Sequence, residues 1–392
     1  MYNFDKVRNR IGTYSFKWDQ YHDDEILALS TADMDFDSPK EIEEALITRA
    51  KEGIYAYEDK SEGYYQAVEG WYERRFDWKI KREWLSNTPG VWTAMHLCVE
   101  AFTEPGDAVL VHSPHFSPIP NIIKGCKRRM VTNTMPYDES AGKYVIDFAS
   151  MERIILEEQV KAFIMINPQN PTGRVFTKDE LTTIGELCAK YDVPVISDEV
   201  HGHVVYDGHR HLPACMVSEE LKHLTAIITA PSKSFNLQGM TYAVVIIPDE
   251  GLRAKFEAER SGYNMEFAVN VFSLAAVEAA YSKCDGWLNA LNEYLLGNLD
   301  FLTEYIEKNI PDIKVIRPEG SYMVWLDFRK FGKTPEELRQ LLLGAHIGLT
   351  YGDSFGPEGE GYERINIGCP RSILEKCLER LKGLTDSLLF RG

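Results

Sequence analysis

The middle of this chain alternates short, nearly unbroken runs of Val, Ile, Leu and Ala with amphipathic segments, and that rhythm limits the possible folds more than any other feature. The runs are Ala108–His112, Ala162–Ile166, Pro194–Ser197, Ala226–Thr229 and Ala243–Ile247. A strand with one wet face would alternate apolar and polar residues, so runs without alternation belong to strands covered on both faces. They predict a buried, mostly parallel sheet in an α/β fold. Between the second and third runs, Thr177 and Glu180 have capping-box spacing, and Leu181, Ile184, Leu187, Cys188 and Tyr191 then recur at helical intervals, as a crossover helix requires. A helical pattern returns from about Trp287 to Lys308, stops at Pro311, Pro318 and Gly320, and gives way to a strand at Tyr322–Leu326. With 392 residues the chain exceeds one typical domain. A large domain over 40–285 and a smaller α+β domain over 286–392, joined by about residues 1–39, is the expected division.

A net charge of −17 repels nucleic-acid phosphate and anionic lipid. The richest basic cluster, Lys124, Lys127, Arg128 and Arg129, lacks interleaved aromatics and reads as a solvated turn. The seven cysteines are scattered and never spaced as CxxC, which argues against a disulfide framework or zinc knuckle and fits a reducing cytoplasm. The opening MYNFDKVRNRIGTYSFKWDQ has no apolar signal core, and no run is long enough to span a bilayer, so neither export nor insertion is expected. His201, His203, His209 and His211 lie close together but without Cys or HExxH spacing, so no metal is expected. Gly332-Lys333-Thr334 imitates the end of a P-loop, yet the motif needs glycine at 327, which is Asp. The glycines at 352, 356, 359 and 361 suggest a mobile loop flanking the site.

In open α/β sheets ligands sit beyond the carboxyl ends of strands, so the polar residues that follow each apolar run matter most. After AFIMI comes NPQNPTGR (167–174), after VPVI comes SDEVH (197–201), and after AIIT comes APSKSFN (230–236). Taken singly, Asn170 is a turn residue, Asp198 a helix cap or ion-pair partner, and Lys233 a surface lysine. Their separations of roughly 30 residues match successive strand–helix units, which places an amide, a carboxylate and a lysine on neighbouring loops. Two Asn-Pro bonds restrict the first loop and leave room for a cis peptide, the mark of a shaped turn. A fourth segment, TPGVWTAMHLCVEAF (88–102), puts a glycine at the entry to an apolar-periodic helix, where free amides favour a phosphate.

As a set these strings resemble fold-type I pyridoxal-phosphate enzymes of the class I/II aminotransferase superfamily, and within it the MalY/PatB-like branch of cystathionine β-lyases, or C–S lyases. The resemblance runs from ADMDF (32–36) through YAYE (55–58), NPQNPTGRVF, SDEVH, APSKSFN and PEGSYMVWLDF (318–328) to RINIGCPR (364–371). It implies a three-layer αβα large domain and a pyridoxal 5'-phosphate cofactor. By the same resemblance Lys233 holds the cofactor as a Schiff base and then removes the substrate Cα proton, while Asp198 faces the pyridine nitrogen. Asn170 and His201 sit beside the phenolic oxygen, and Phe116 in SPHFSP stacks on the ring. The phosphate is held by amides around Val91 and Trp92, by the Ser232 hydroxyl, and by Tyr57 from a second subunit, so a homodimer is implied. Arg364 is the implied anchor of the substrate carboxylate, with Asn170 also implied in substrate binding, and Arg371 is structural.

This sequence departs from the pattern at three places. The segment after the lysine, LQGMTYAV, has no arginine for the phosphate, Gln169 stands where His is common, and Phe116 where Tyr is common. The lyase branch also lacks that arginine. β-Elimination from cystathionine or a related cysteine S-conjugate, to thiol, pyruvate and ammonia, is therefore the expected reaction. The alternatives are an aminotransferase using the same residues and a non-catalytic cofactor-binding regulator, against which the intact Lys233, Asp198 and Arg364 set argues.

Overall fold

A computed structural model describes residues 2–206 and 208–389. Its largest sheet has seven strands: β1 (Leu85–Thr88), β2 (Ala108–Ser113), β3 (Arg129–Thr134), β4 (Val160–Ile166), β5 (Val195–Asp198), β6 (Thr225–Thr229) and β7 (Ala243–Ile246). Their order across the sheet is β1-β7-β6-β5-β4-β2-β3. All five apolar runs are strands, and β2, β5, β6 and β7 are buried along their whole length. Apolar clusters form on each face, one around Ala94, Met95, Val109, Ile164 and Ile228, the other around Leu110, Phe163, Leu181 and Ile184. The crossover helix occupies Lys178–Lys190 with the Thr177–Glu180 capping box formed, and Tyr191 just past its end.

Two edge strands escape the apolar-run criterion. β1 carries the buried polar residues Ser86, Asn87 and Thr88, and β3 leaves Arg129, Thr132 and Thr134 exposed, as a strand at a sheet edge can. One direction also differs from the parallel rule: β7 runs antiparallel to both β6 and β1. The connector 230–242 holds only a one-turn helix, Ser232–Phe235, and a short 3-10 turn, so the chain reverses at the end of the sheet where it emerged.

A second, antiparallel sheet comprises β8 (Lys314–Ile316), β9 (Met323–Asp327), β10 (Thr350–Tyr351) and β11 (Tyr362–Asn366), in the order β8-β9-β11-β10. The helical stretch read from 287–308 spans Asp285–Asn309 and buries Leu288, Leu291, Leu295 and Leu299. The amino-terminal segment lies between the two sheets. Leu27–Ala28 pairs in parallel with Ile347–Gly348, and buried Asp35 accepts from Lys17 Nζ (2.7 Å), Arg10 Nη1 (2.8 Å) and Trp18 Nε1 (2.9 Å). Asn236, just past Lys233, grips the same segment at the Met34 amide (2.9 Å) and the Met34 and Phe36 carbonyls (2.8 and 3.0 Å).

The glycines at 352 and 359 answer a packing demand rather than a need for mobility: a Cβ on either would overlap the backbone oxygen of the other. The segment forms two 3-10 turns, buries Phe355, and fixes the turn before Phe116 by accepting the His115 amide at 2.8 Å. In the basic cluster, Arg128 is spent on the backbone of residues 100–126 and on Thr103 Oγ1, and Arg129 on Glu158. Among the described residues no helix is long and apolar enough to cross a membrane.

All seven cysteines are buried, and burial raises their thiols, Cys126 to about 11 and Cys188, Cys284 and Cys377 to about 12. The folded protein is expected to react with fewer than one equivalent of an aromatic disulfide reagent within minutes, and with all seven after denaturation. Rapid native-state release of a full equivalent contradicts that burial.

Candidate active site

The carboxyl ends of β4, β5 and β6 meet the amino end of helix Val91–Phe102 around a cavity of about 380 Å³. Asp198 is the last residue of β5, so the strand itself delivers its carboxyl to the cavity wall. Asn170 arrives on a tight turn in which both Asn-Pro bonds are cis. That turn is braced from inside: the Gln169 amide donates to Arg174 O (2.7 Å), the Gly173 amide to Gln169 O (2.7 Å), and Gln169 Nε2 to Pro114 O (2.7 Å). Gln169 thus ties the Asn170 turn to the turn bearing Phe116. Gly173 has a φ of +73° and lies against Pro318, a position closed to a side chain.

Lys233 sits on the one-turn helix after β6, with Nζ donating to the Ala32 carbonyl at 2.7 Å. Burial, and next the Arg364 guanidinium, push its amine down to about 8, against the pull of Asp33 and Asp198. Burial pushes the Asp198 carboxyl up to about 6, although the Val200 amide (3.1 Å) and Lys233 favour its charge. His201 is held well below its usual range by burial and by the nearby cations Lys233 and Arg364, so its ring is neutral; Nδ1 lies 3.1 Å from Ser321 Oγ.

At the other end of the cavity, Gly90 enters the helix at φ +97° with no side-chain cap, which leaves the first-turn amides at Val91 and Trp92 without side-chain acceptors. Both residues, together with Phe116, Ser232, Asp198 and His201, line the cavity. A lowered amine, a raised acid and an uncapped helix end thus share one cavity.

Arg364 lies outside the cavity wall but reaches it through Asn170, whose Oδ1 accepts from Nη1 at 2.9 Å. Nη2 bonds Ser30 O (3.2 Å) and Thr350 Oγ1 (3.1 Å), the guanidinium stacks on Phe355 (4.9 Å), and Nε has no partner. Burial lowers it to about 10, so it remains a cation at neutral pH. Arg371 instead bonds Asn298 Oδ1 (2.7 Å) and covers Phe301. Tyr57 is 87% exposed, touches Phe267, and does not line its own chain's cavity. The four clustered histidines face different ways: His201 toward Ser321, His203 toward Trp71, His211 toward Glu199, and His209 toward Glu319.

Three contributors are not marked as site residues by the sequence. The Ala32 carbonyl, the Gln238 amide and the Tyr322 hydroxyl meet beside Lys233, from segments far apart in the chain. Gln238 lies in the segment notable for its missing arginine, and Ala32 opens the ADMDF string, the only hints of either.

The profile of the family described as aminotransferase class I and II matches residues 24–381. The chain belongs to this family. Among class I and II members, cystathionine beta-lyase PatB of Bacillus subtilis is 38% identical over 387 residues, covering 97% of this chain and 99% of PatB. Protein MalY of Escherichia coli is 30% identical over 382 residues, covering 96% of this chain and 97% of MalY. Cystalysin of Treponema denticola, whose crystal structure contains a pyridoxal 5'-phosphate cofactor, superposes with a TM-score of 0.94 at 32% identity, over 99% of this chain and 100% of cystalysin.

For Arg364 we propose a role in binding rather than chemistry. R364K keeps the charge but loses the planar fork, and a charge-assisted hydrogen bond contributes about 1.5–3 kcal/mol, so kcat/KM should fall roughly 10- to 100-fold, mainly through KM. A fall confined to kcat, seen in steady-state kinetics, contradicts this.

Proposed function

We propose that the protein is a pyridoxal-phosphate-dependent C–S lyase that eliminates the sulfur substituent of cystathionine or a related cysteine S-conjugate. The observation that carries this is the cavity itself, in which Lys233 and Asp198 share one chamber with an uncapped helix end. The residues fit the cofactor. Amides at Val91 and Trp92 and the Ser232 hydroxyl suit a phosphate, the Phe116 ring suits a flat face, and a buried carboxyl with no cationic side chain bonded to it suits a pyridine nitrogen. When bound, the cofactor supplies an aldehyde that captures amines and a ring that takes up the electron pair released at Cα.

The chain's own groups do the rest. Lys233 would hold the cofactor through its amine and would take the proton from Cα of the substrate, which its lowered affinity for protons permits at neutral pH. Asp198 would hold a proton at the ring nitrogen, a cation that would favour the charged carboxylate against burial. Asn170 and neutral His201 would hold the phenolic oxygen, and Arg364, bonded to Asn170, would bind the substrate carboxylate. As the Cβ–S bond breaks, sulfur leaves with the bonding pair as a thiolate. With one water, the remaining three-carbon fragment ends as pyruvate and ammonia.

The likeness to PatB favours elimination over transamination. Incubation with L-cystathionine separates them: thiol and pyruvate in equal amounts without added keto acid are expected, and strict dependence on a keto acid overturns the lyase reading. Bound cofactor with no turnover on any sulfur amino acid points instead to a regulator.

The site is completed by a second copy. Trp92 is 58% exposed at the cavity rim, and Tyr57 and Phe267 are also exposed, a set of aromatics that water does not favour and a partner would cover. Tyr57 of each subunit then reaches the other's phosphate. Inactive K233A and weakened Y57A chains should regain activity when refolded together, because one of the two hybrid sites is intact; no recovery refutes the shared site. The division into 40–285 and 286–392 with residues 1–39 is proposed on the same reading, with Arg364 and Ser30 brought to the cavity from the smaller part.

A further inference from the structure

Three donors converge on one backbone oxygen. Ala32 O accepts from Lys233 Nζ at 2.7 Å, Tyr322 Oη at 3.0 Å and Gln238 Nε2 at 3.1 Å. A carbonyl offers two lone pairs, so three full-strength bonds compete, and Lys233 is the member whose chemistry depends on the outcome. The oxygen is fixed in place. Asn366 Nδ2 holds the carbonyls on either side, Thr31 O at 2.6 Å and Asp33 O at 2.7 Å, while Asn236 holds the Met34 amide.

We propose that Gln238 is a positioning residue for Lys233: with Tyr322, its amide occupies the Ala32 carbonyl, so that the lysine amine, whenever free, rests there loosely and stays available to attack the cofactor aldehyde. The inference rests on Lys233 being the cofactor lysine. A carbonyl bonded to an ammonium stabilises the charged form, and every neutral donor sharing that oxygen weakens the bond.

The charged and titratable groups facing the amine come from four elements. Asp198 from β5 and Asp33 from the amino-terminal segment favour the ammonium, whereas Arg364 from β11 opposes it. His201 is neutral, and burial keeps the Tyr322 hydroxyl protonated, so neither adds a charge. Burial and Arg364 prevail, and the amine sits at about 8. Losing the Gln238 N–H leaves two donors for two lone pairs, and the ammonium gains the stronger bond.

The test compares wild-type apoprotein with Q238M, which keeps length but not the donor, and Y322F, which removes the neighbouring donor. Each is mixed with pyridoxal 5'-phosphate across a pH range straddling 8, and the rate of appearance of the visible band of the lysine adduct is measured. The midpoint of the rate profile should move up by about one pH unit in either variant, with the rate at neutral pH down about tenfold and the alkaline plateau unchanged. An unmoved midpoint in Q238M, whatever its turnover, overturns the proposal, since a merely structural role would change amplitude and not titration. Should Q238M not fold, an unmoved or lowered midpoint in Y322F does the same. Borohydride reduction of the wild type followed by peptide mapping keeps the two readings apart. An adduct elsewhere than Lys233 sinks the cofactor assignment, and an adduct at Lys233 with unmoved midpoints sinks only the role of Gln238.

Discussion

K233A is expected to lose turnover by a factor on the order of 10⁵–10⁶, the scale seen when a group acting in concert with its partners is removed. The fold should survive. Lys233 Nζ makes one hydrogen bond, to Ala32 O, and Gln238 and Tyr322 still satisfy that oxygen after truncation. What disappears is the amine, with the property its surroundings give it. An amine at its ordinary 10.5 would be neutral in only about one molecule in 3,000 at pH 7, whereas at about 8 roughly a tenth is neutral. The cavity therefore raises the nucleophilic fraction by about 300-fold before any positioning effect. The sign follows directly: capture of an aldehyde needs the unprotonated form, so cofactor uptake by the wild-type apoprotein should rise with pH through about 8 and level off above it. K233A should show no borohydride-fixed cofactor at any pH. Stable fixation in K233A, or wild-type uptake already level at pH 6, contradicts this account.

How much of this is visible in the sequence depends on where each group's partners come from. Strands buried on both faces announce themselves, because β5 and β6 are built mainly of Val, Ile and Ala with no exposed position to alternate; the polar residues that close such runs lead to Asp198, and within one turn to Asn170 and Lys233. Edge strands stay silent for two reasons: β1 buries the polar residues Ser86, Asn87 and Thr88, and β3 exposes half of its residues to solvent. The amino-terminal segment is silent for a different reason. Its backbone is held by Asn236 and Asn366, contacts about 200 and 330 residues away, and such polar anchoring leaves no local periodicity. Arg364 resembles any strand arginine until β11 sets it against Asn170, so only the family resemblance marks it. Tyr57 is harder still, since its proposed contact lies on another copy of the chain. The glycines between 352 and 361 show the opposite failure: a conspicuous pattern in which Gly352 and Gly359 answer a contact of backbone against backbone, while Gly356 and Gly361 take positive φ.

D198N should lower kcat by roughly 10³-fold while leaving cofactor affinity within about tenfold of wild type, because the charge it removes matters most when negative charge develops in the ring. Asparagine fills nearly the same volume, and its side-chain oxygen can still accept the Val200 amide that Asp198 accepts at 3.1 Å, so the end of β5 need not move. The uncapped end of helix Val91–Phe102, proposed to hold the phosphate, and Lys233 are untouched, which is why retention should be spared. The carboxyl stands at about 6 because burial outweighs the Val200 amide and the charge of Lys233, which is not bonded to it. A protonated ring nitrogen is the cation that burial leaves it wanting, and their pairing lowers the acid again while holding the proton on nitrogen. An amide cannot do this: it is neutral at every pH, so the ring nitrogen in D198N loses its proton near neutrality and the electron sink weakens with it. Lowering the pH should then partly restore D198N relative to wild type, as solvent reprotonates what the carboxylate no longer holds. Loss of cofactor without loss of turnover per bound cofactor, or a D198N rate within threefold of wild type, would place Asp198 in the scaffold instead of the chemistry.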